Sequence, residues 1–213
     1  MDNNSFASIR SAVQELPKVD ILVNNAGVNV FNNPSTLTED GFDVTYQTNY
    51  LSQMYLYKLL KPTKVVNVSS SAQKIGTLHF EDHSNAYANT KLASVYMANY
   101  LSRRPGVIAT SLNPGIVGGT EMGRHAPPDF VAKLLENKTI LPLLKSVEQG
   151  AATIVLAVVK DFNGKFLEDC SEAVEGEDDG IIWNSGYVPR TYDSKAEEEL
   201  WQLAEKQLGG DRI

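Results

Sequence analysis

Ser84-Asn85-Ala86-Tyr87-Ala88-Asn89-Thr90-Lys91-Leu92-Ala93 opens a stretch whose spacing predicts a helix to about Arg103, with Leu92, Val95, Tyr96, Ala98, Tyr100 and Leu101 available for packing. On a helix, side chains four apart stand one turn above each other on one face. Tyr87 and Lys91 have that spacing. A phenol beside an ammonium is a proton-transfer pair, because the cation favours the phenolate and lowers the tyrosine pKa from its usual value of about 10. Such a tyrosine can trade a proton with a substrate hydroxyl or carbonyl. The same spacing also arises in helices without any chemistry, so its meaning depends on the elements around it.

Those elements alternate in kind. Upstream, Lys64-Val65-Val66-Asn67-Val68-Ser69-Ser70-Ser71 is an apolar run that ends in hydroxyls. Downstream, the strand Val107 to Leu112 breaks at Asn113-Pro114-Gly115, a turn signal. Nearer the N-terminus, Val19-Asp20-Ile21-Leu22-Val23 reads as a buried strand and runs into Asn24-Asn25-Ala26-Gly27. Helical stretches cover 5–16, with Phe6, Ile9, Val13 and Leu16 at helical spacing, and 38–60, with Thr38-Glu39-Asp40-Gly41-Phe42 as the start. Asn49 lies on the mainly apolar face of the second. A buried amide there either ties down a neighbouring backbone or lines a site.

Strands alternating with helices imply βαβ units. The predicted fold is α/β: a partial Rossmann-like, doubly wound parallel sheet in one domain over 1–213. Each strand ends in small or polar residues, which gathers the chemistry on one sheet edge.

The remaining third is less informative. Residues 116–142, with Pro127-Pro128 and Pro142, read as a mobile segment with a short helix from Phe130 to Leu135, a lid or a plain surface excursion. Ser146-Val147-Glu148-Gln149 fits a capping box opening a helix to Val159. Phe162 to Leu167 is a turn into a short strand. Glu168 to Asp179 holds seven carboxylates without calcium-loop spacing and reads as a solvated loop. Asp193 to Leu208 is a closing helix.

Composition excludes several function classes. The 213 residues carry a net charge of −7 and no basic stripe, which argues against nucleic acid as a partner. No apolar run reaches the length of about 20 residues needed for a membrane span, and the polar start Met1-Asp2-Asn3-Asn4-Ser5 is unlike a secretory signal. The lone Cys170 fits a reducing compartment, so a cytoplasmic setting is expected. His79, His83 and His125 make no zinc motif, and no metal is expected. The G-x-S-x-G elbow of serine hydrolases is absent around Ser70.

Taken in order, Asn24-Asn25-Ala26-Gly27, Asn49, Val66-Asn67-Val68-Ser69-Ser70, Tyr87-Ala88-Asn89-Thr90-Lys91 and Asn113-Pro114-Gly115 resemble the short-chain dehydrogenase/reductase family. The Leu167-Glu168-Asp169-Cys170 tail is similar to its retinol-dehydrogenase and fungal reductase branch. The resemblance implies an oxidoreductase that uses NADP or NAD on an alcohol or carbonyl substrate. Tyr87 would be the acid/base, and Lys91 would lower its pKa and hold the nicotinamide ribose. Ser70 would bond the reacting oxygen, with Ser69 or Ser71 as lesser choices. Asn49 would anchor a water in a proton relay. Asp2 would contact adenine. Asn25, Ala26 and Gly27 would pass its ribose, while Pro114, Gly115 and Ile116 would flank the nicotinamide and Thr120 would bond its carboxamide. A homo-oligomer is a further expectation.

The family pattern also has a glycine-rich turn that brings dinucleotide phosphates to a helix N-terminus. No two glycines here fall at i and i+2, so that turn has no counterpart. The strand at Val19 to Asn24 is therefore expected at a sheet edge with an unpaired ladder. The alternative reading is an inactive remnant or a partner-dependent subunit.

Overall fold

The computed structural model describes residues 1–30, 36–78, 85–124, 126, 127, 129, 132, 133 and 136–209. The order is α1 (Phe6–Gln14), β1 (Ile21–Asn24), α2 (Val44–Tyr46), a π-helical turn (Gln47–Leu51), α3 (Ser52–Leu60), β2 (Lys64–Val68), a 3-10 turn (Ser71–Ile75) and α4 (Ala86–Ser102). There follow β3 (Ile108–Asn113), β4 (Ile116–Val117), β5 (Leu144–Lys145), α5 (Val147–Val159), β6 (Phe166–Glu168), β7 (Ser171–Glu172) and α6 (Ser194–Gln207).

The main sheet runs β1-β2-β3-β6-β7. The first four strands are parallel, in a register that pairs Val23 with Val66, Val66 with Thr110 and Leu112 with Leu167. β7 adds antiparallel through Leu167 and Glu172. A separate parallel ladder joins β4 to β5.

Side chains alternate between the two faces. Val65 and Ala109 enter a core with Tyr50, Met54, Leu92, Met97 and Trp201. Val66, Val68 and Leu112 turn the other way, against Ala157 and Ile154 of α5. α4 is buried without interruption from Ala88 to Leu101, which makes it the central helix of its layer.

Among the described residues β1 pairs only with β2 and stands at the expected edge. Leu22 packs under α1 and α3 beside Ile9 and Leu56. Ile21 and Val23 take the opposite face, where α5 covers β2 and β3 but not β1, and they are 40% and 37% exposed. Parallel strands are ordinarily covered on both faces, so among the described residues this strand is half-clad as well as unpaired on its outer side.

Several expected elements differ. Residues 38–42 do not start the second helix: Gly41 has φ +85, outside the helical region, and the helix begins after Asp43, whose carboxylate accepts from the Tyr46 amide at 2.9 Å. Ser71 to Ile75, expected to be partly strand and partly loop, forms the 3-10 turn. Glu168 to Asp179 is not wholly a solvated loop. Glu168 belongs to β6, and Asp169 and Cys170, both at positive φ, turn the chain into β7. The predicted helix at 130–135 and all three histidines fall mainly or wholly outside the described residues. The capping box at Ser146 and Gln149 forms as expected. No helix among the described residues is long and apolar enough to cross a membrane.

Candidate active site

The three serines after β2 have different partners. The Ser69 amide donates to the Leu112 carbonyl at 2.7 Å and its hydroxyl donates to the Lys91 carbonyl at 2.7 Å, so Ser69 holds strand to helix. Ser70 stays extended and caps the 3-10 turn, accepting from the Ala72 amide at 3.2 Å. Its hydroxyl also hydrogen-bonds the Tyr87 phenol, a bond that favours the phenolate. Ser71 lines a neighbouring cleft.

Lys91 projects from the next turn of α4, with Nζ 5.5 Å from the centroid of the Tyr87 ring. The ammonium is buried and donates to the Val68 carbonyl at 2.8 Å. Behind it, buried amides bridge the sheet to the helix: Asn24 donates to Asn67 at 2.8 Å, and Asn67 donates to the Ser94 carbonyl at 2.9 Å.

Asn49 sits in the π-helical turn and is fully buried. Its side chain exchanges both hydrogen bonds with the Val28 backbone, at 2.8 and 2.9 Å, and donates to the Thr90 hydroxyl at 3.0 Å. Gln53, one turn on, donates to the Ala26 carbonyl at 2.9 Å. The 25–28 segment is thus laid across the helix. A Cβ on Gly27 would lie 3.3 Å from Asn49 Oδ1 and 3.5 Å from Lys91 Nζ, so the glycine keeps the backbone close to both. Asp2 lies exposed, its carboxylate accepting from the Asn4 amide at 2.9 Å. Asn3 and Asn4 are tied to the same helix by Ser52 and Thr48, at 2.5 and 2.6 Å.

The electrostatics depart from the expectation that Lys91 lowers the Tyr87 pKa. Burial raises Tyr87, opposed by the Ser70 hydrogen bond, and burial pulls the Lys91 ammonium down to about 8. Desolvation penalises the charged form of each, and the lysine points its charge at a carbonyl and the ring face rather than at the phenol oxygen.

Beside the Ser70 turn lies a cleft of about 120 Å³, lined by Ser71, Asn113, Gly115, Ile116, Lys145 and Trp183 among others. Gly115 has φ +85 and the Lys145 stem lies 2.8 Å from where a Cβ would be. Neither Pro114 nor Thr120 lines it; Thr120 is exposed and bonds only weakly to the Val117 carbonyl, at 3.4 Å. Sequence reasoning missed Glu168, whose carboxylate accepts from the Asn113 side chain at 2.6 Å and the Gly186 amide at 2.7 Å. It also missed Lys74, Lys145 and Trp183. The only sequence signal for these was the Leu167-Glu168-Asp169-Cys170 tail.

Gly76 sets the distance between the Ser70 turn and α4. A Cβ there would stand 2.5 Å from the Ala88 carbonyl and 2.9 Å from Leu92 Cβ. Gly76→Ala is therefore expected to cost about 1–3 kcal/mol by overpacking, read as a lower thermal midpoint.

The short chain dehydrogenase family model matches residues 2–129. Retinol dehydrogenase 14 of Mus musculus is 33% identical over 98% of this chain and 66% of its own length. The short-chain dehydrogenase/reductase prx1 of Penicillium roqueforti is 32% identical over 98% of this chain and 69% of its own. The chain thus spans about two-thirds of the length of the relatives it matches. Among solved structures, an uncharacterised protein from Mycobacterium paratuberculosis aligns over 100% of this chain and 75% of its own, at TM-score 0.65 and 24% identity. The NADPH-bound carbonyl reductase from chicken fatty liver aligns over 81% of this chain and 74% of its own, at TM-score 0.56 and 20% identity. These last two speak for a shared fold, and the family match and the relatives' identity together place the sequence: the chain belongs to the short-chain dehydrogenase family.

Proposed function

We propose that the protein is an NAD(P)-dependent oxidoreductase that interconverts an alcohol and a carbonyl. The observation that carries this is the Ser70–Tyr87 hydroxyl pair beside the buried Lys91 ammonium, at the carboxyl edge of the parallel sheet. Tyr87 exchanges the proton with the reacting oxygen, and Ser70 orients that oxygen. Lys91 supplies positive charge, and Asn49 belongs to the proton relay behind it. A nicotinamide cofactor, when bound, supplies the hydride chemistry.

The residues present fit the nicotinamide end of such a cofactor. Lys91 Nζ has three N–H donors and one described acceptor, the Val68 carbonyl, which leaves donors for ribose hydroxyls. Gly115 and Ile116 line the adjoining cleft, and Gly27 leaves room for a close approach to Lys91. Asp2, Asn25, Ala26, Pro114 and Thr120 are proposed to complete the cofactor contacts. NADP is proposed over NAD from the resemblance to the retinol-dehydrogenase and fungal branch. The lone Cys170 supports a cytoplasmic setting.

Purified chain incubated with excess NADPH or NADH and a panel of aldehydes and ketones, retinal included, is expected to consume reduced cofactor only when a carbonyl is present. Absence of carbonyl-dependent consumption across the panel would remove the proposal. The open β1 edge favours a second reading, a subunit that works with a partner. Activity that appears only on adding a second polypeptide would select it.

A further inference from the structure

Lys74 is a buried cation that the proposed chemistry leaves unused. It lies in the 3-10 turn that Ser70 caps and is 1% exposed. Its ammonium donates to the carbonyls of Asn184 and of Ser185, the latter at 3.1 Å, and no carboxylate is among its described partners. A buried ammonium has to find hydrogen-bond acceptors within the protein. Its charge-assisted hydrogen bonds are strong.

Those two carbonyls belong to a wall of the cleft. Ile182, Trp183 and Ser185, flanking Asn184, line it together with Ser71, Gly115 and Ile116. The wall is fastened a second time at Gly186, whose amide donates to Glu168 at 2.7 Å. Gly186 has φ +94, and a Cβ there would stand 2.5 Å from the Val174 carbonyl, so its backbone has little room to shift. Gln73, beside Lys74, accepts from the buried Thr191 hydroxyl at 2.9 Å, which ties the same turn to the chain just beyond. The turn that carries Ser70 and the wall that carries Trp183 are thus joined through Lys74.

We propose that Lys74 is a positioning residue of the substrate cleft: it clamps the Trp183 wall to the Ser70 turn and so fixes the width of the cleft. Its effect on turnover rests on the oxidoreductase reading; the clamp does not.

The two tryptophans make the clamp readable without activity. Trp201 is 7% exposed and stacked on Tyr100 at 4.3 Å, so quenching of tryptophan fluorescence by acrylamide reports chiefly on Trp183, with Trp183→Phe as background. In Lys74→Met the quenching constant is expected to rise about two-fold as the wall loosens. The KM for the carbonyl substrate is expected to rise about five-fold, with kcat changed by less than about two-fold. A merely structural role would lower the folded fraction and the apparent kcat without moving KM. Unchanged quenching in a folded Lys74→Met protein overturns the clamp, and raised quenching with unchanged KM overturns the positioning role. Raised quenching in a protein whose parent shows no turnover supports the clamp and counts only against the oxidoreductase reading. If Lys74→Met does not fold, Lys74→Gln keeps two N–H donors on a shorter stem, and the same readouts decide.

Discussion

Tyr87→Phe is expected to lower kcat/KM by about 10²- to 10⁴-fold, the usual worth of a positioned proton donor. Phenylalanine preserves the ring that lies 5.5 Å from Lys91 Nζ, so cofactor affinity is expected to stay within about two-fold. Only the hydroxyl that bonds Ser70 is lost. Ser70→Ala acts on the same bond, so combining the two substitutions is expected to cost far less than the product of their separate effects. Burial raises the Tyr87 pKa, and the acid form therefore persists through neutral pH. Carbonyl reduction, which needs that form, is expected to stay level across neutral pH, while alcohol oxidation, which needs the phenolate, climbs with pH until the Lys91 ammonium begins to lose its proton near 8. Steady-state rates in both directions across a pH series check this. Retained turnover in Tyr87→Phe would take the proton-donor role away from Tyr87.

The second large effect concerns stability. Lys91→Met is expected to abolish turnover and yet raise the unfolding free energy at pH 7. The folded protein holds the ammonium at about 8 instead of 10.5 through desolvation, a penalty of about 3 kcal/mol. Losing the hydrogen bond to the Val68 carbonyl returns about 1 kcal/mol of that. The net expectation is a gain of about 2 kcal/mol, an instance of a site held at the expense of stability.

The same group fixes a pH dependence. Between about pH 8 and 10.5 the unfolded chain binds the lysine proton and the folded one has released it, so stability rises with pH across that window. Lys91→Met should lack the rise. Tyrosines act in the opposite direction at higher pH. Burial pushes Tyr96 up to about 12 and raises Tyr50 as well, so the unfolded chain loses its phenolic protons first and stability falls above about pH 10. Denaturant titrations at a series of pH values are expected to place the parent's maximum near pH 9–10. A flat parent profile from pH 7 to 10 would contradict the assignment of Lys91 as a buried, uncompensated cation.

The sheet and α4 were legible because burial writes itself as apolar runs: Val65, Val66 and Val68 announce a strand, and Ala88 to Leu101 a helix with no solvent face. That Tyr87 and Lys91 share one side of α4 was legible because four-residue spacing fixes a shared helix face. The π-helical turn at Asn49 was not, since one extra residue in a turn leaves no mark in composition. The start of α2 was misread because acidic residues suggested a first turn while Gly41, at positive φ, precludes one. The sign of the Tyr87 shift required knowledge of burial, which spacing does not carry. The wall at Trp183 was the least accessible part. Lys74 reaches carbonyls 110 and 111 residues away, and backbone carbonyls look alike in every sequence.

The uncovered β1 strand has a bearing on how the protein is to be measured. Any strand that joins its outer ladder binds the folded chain and not the unfolded one, and so adds RT ln(1 + [L]/Kd) to the folding free energy. When the joining strand comes from another molecule, melting temperature becomes a function of concentration. A titration by dilution then reads the affinity of this edge directly, with no ligand added.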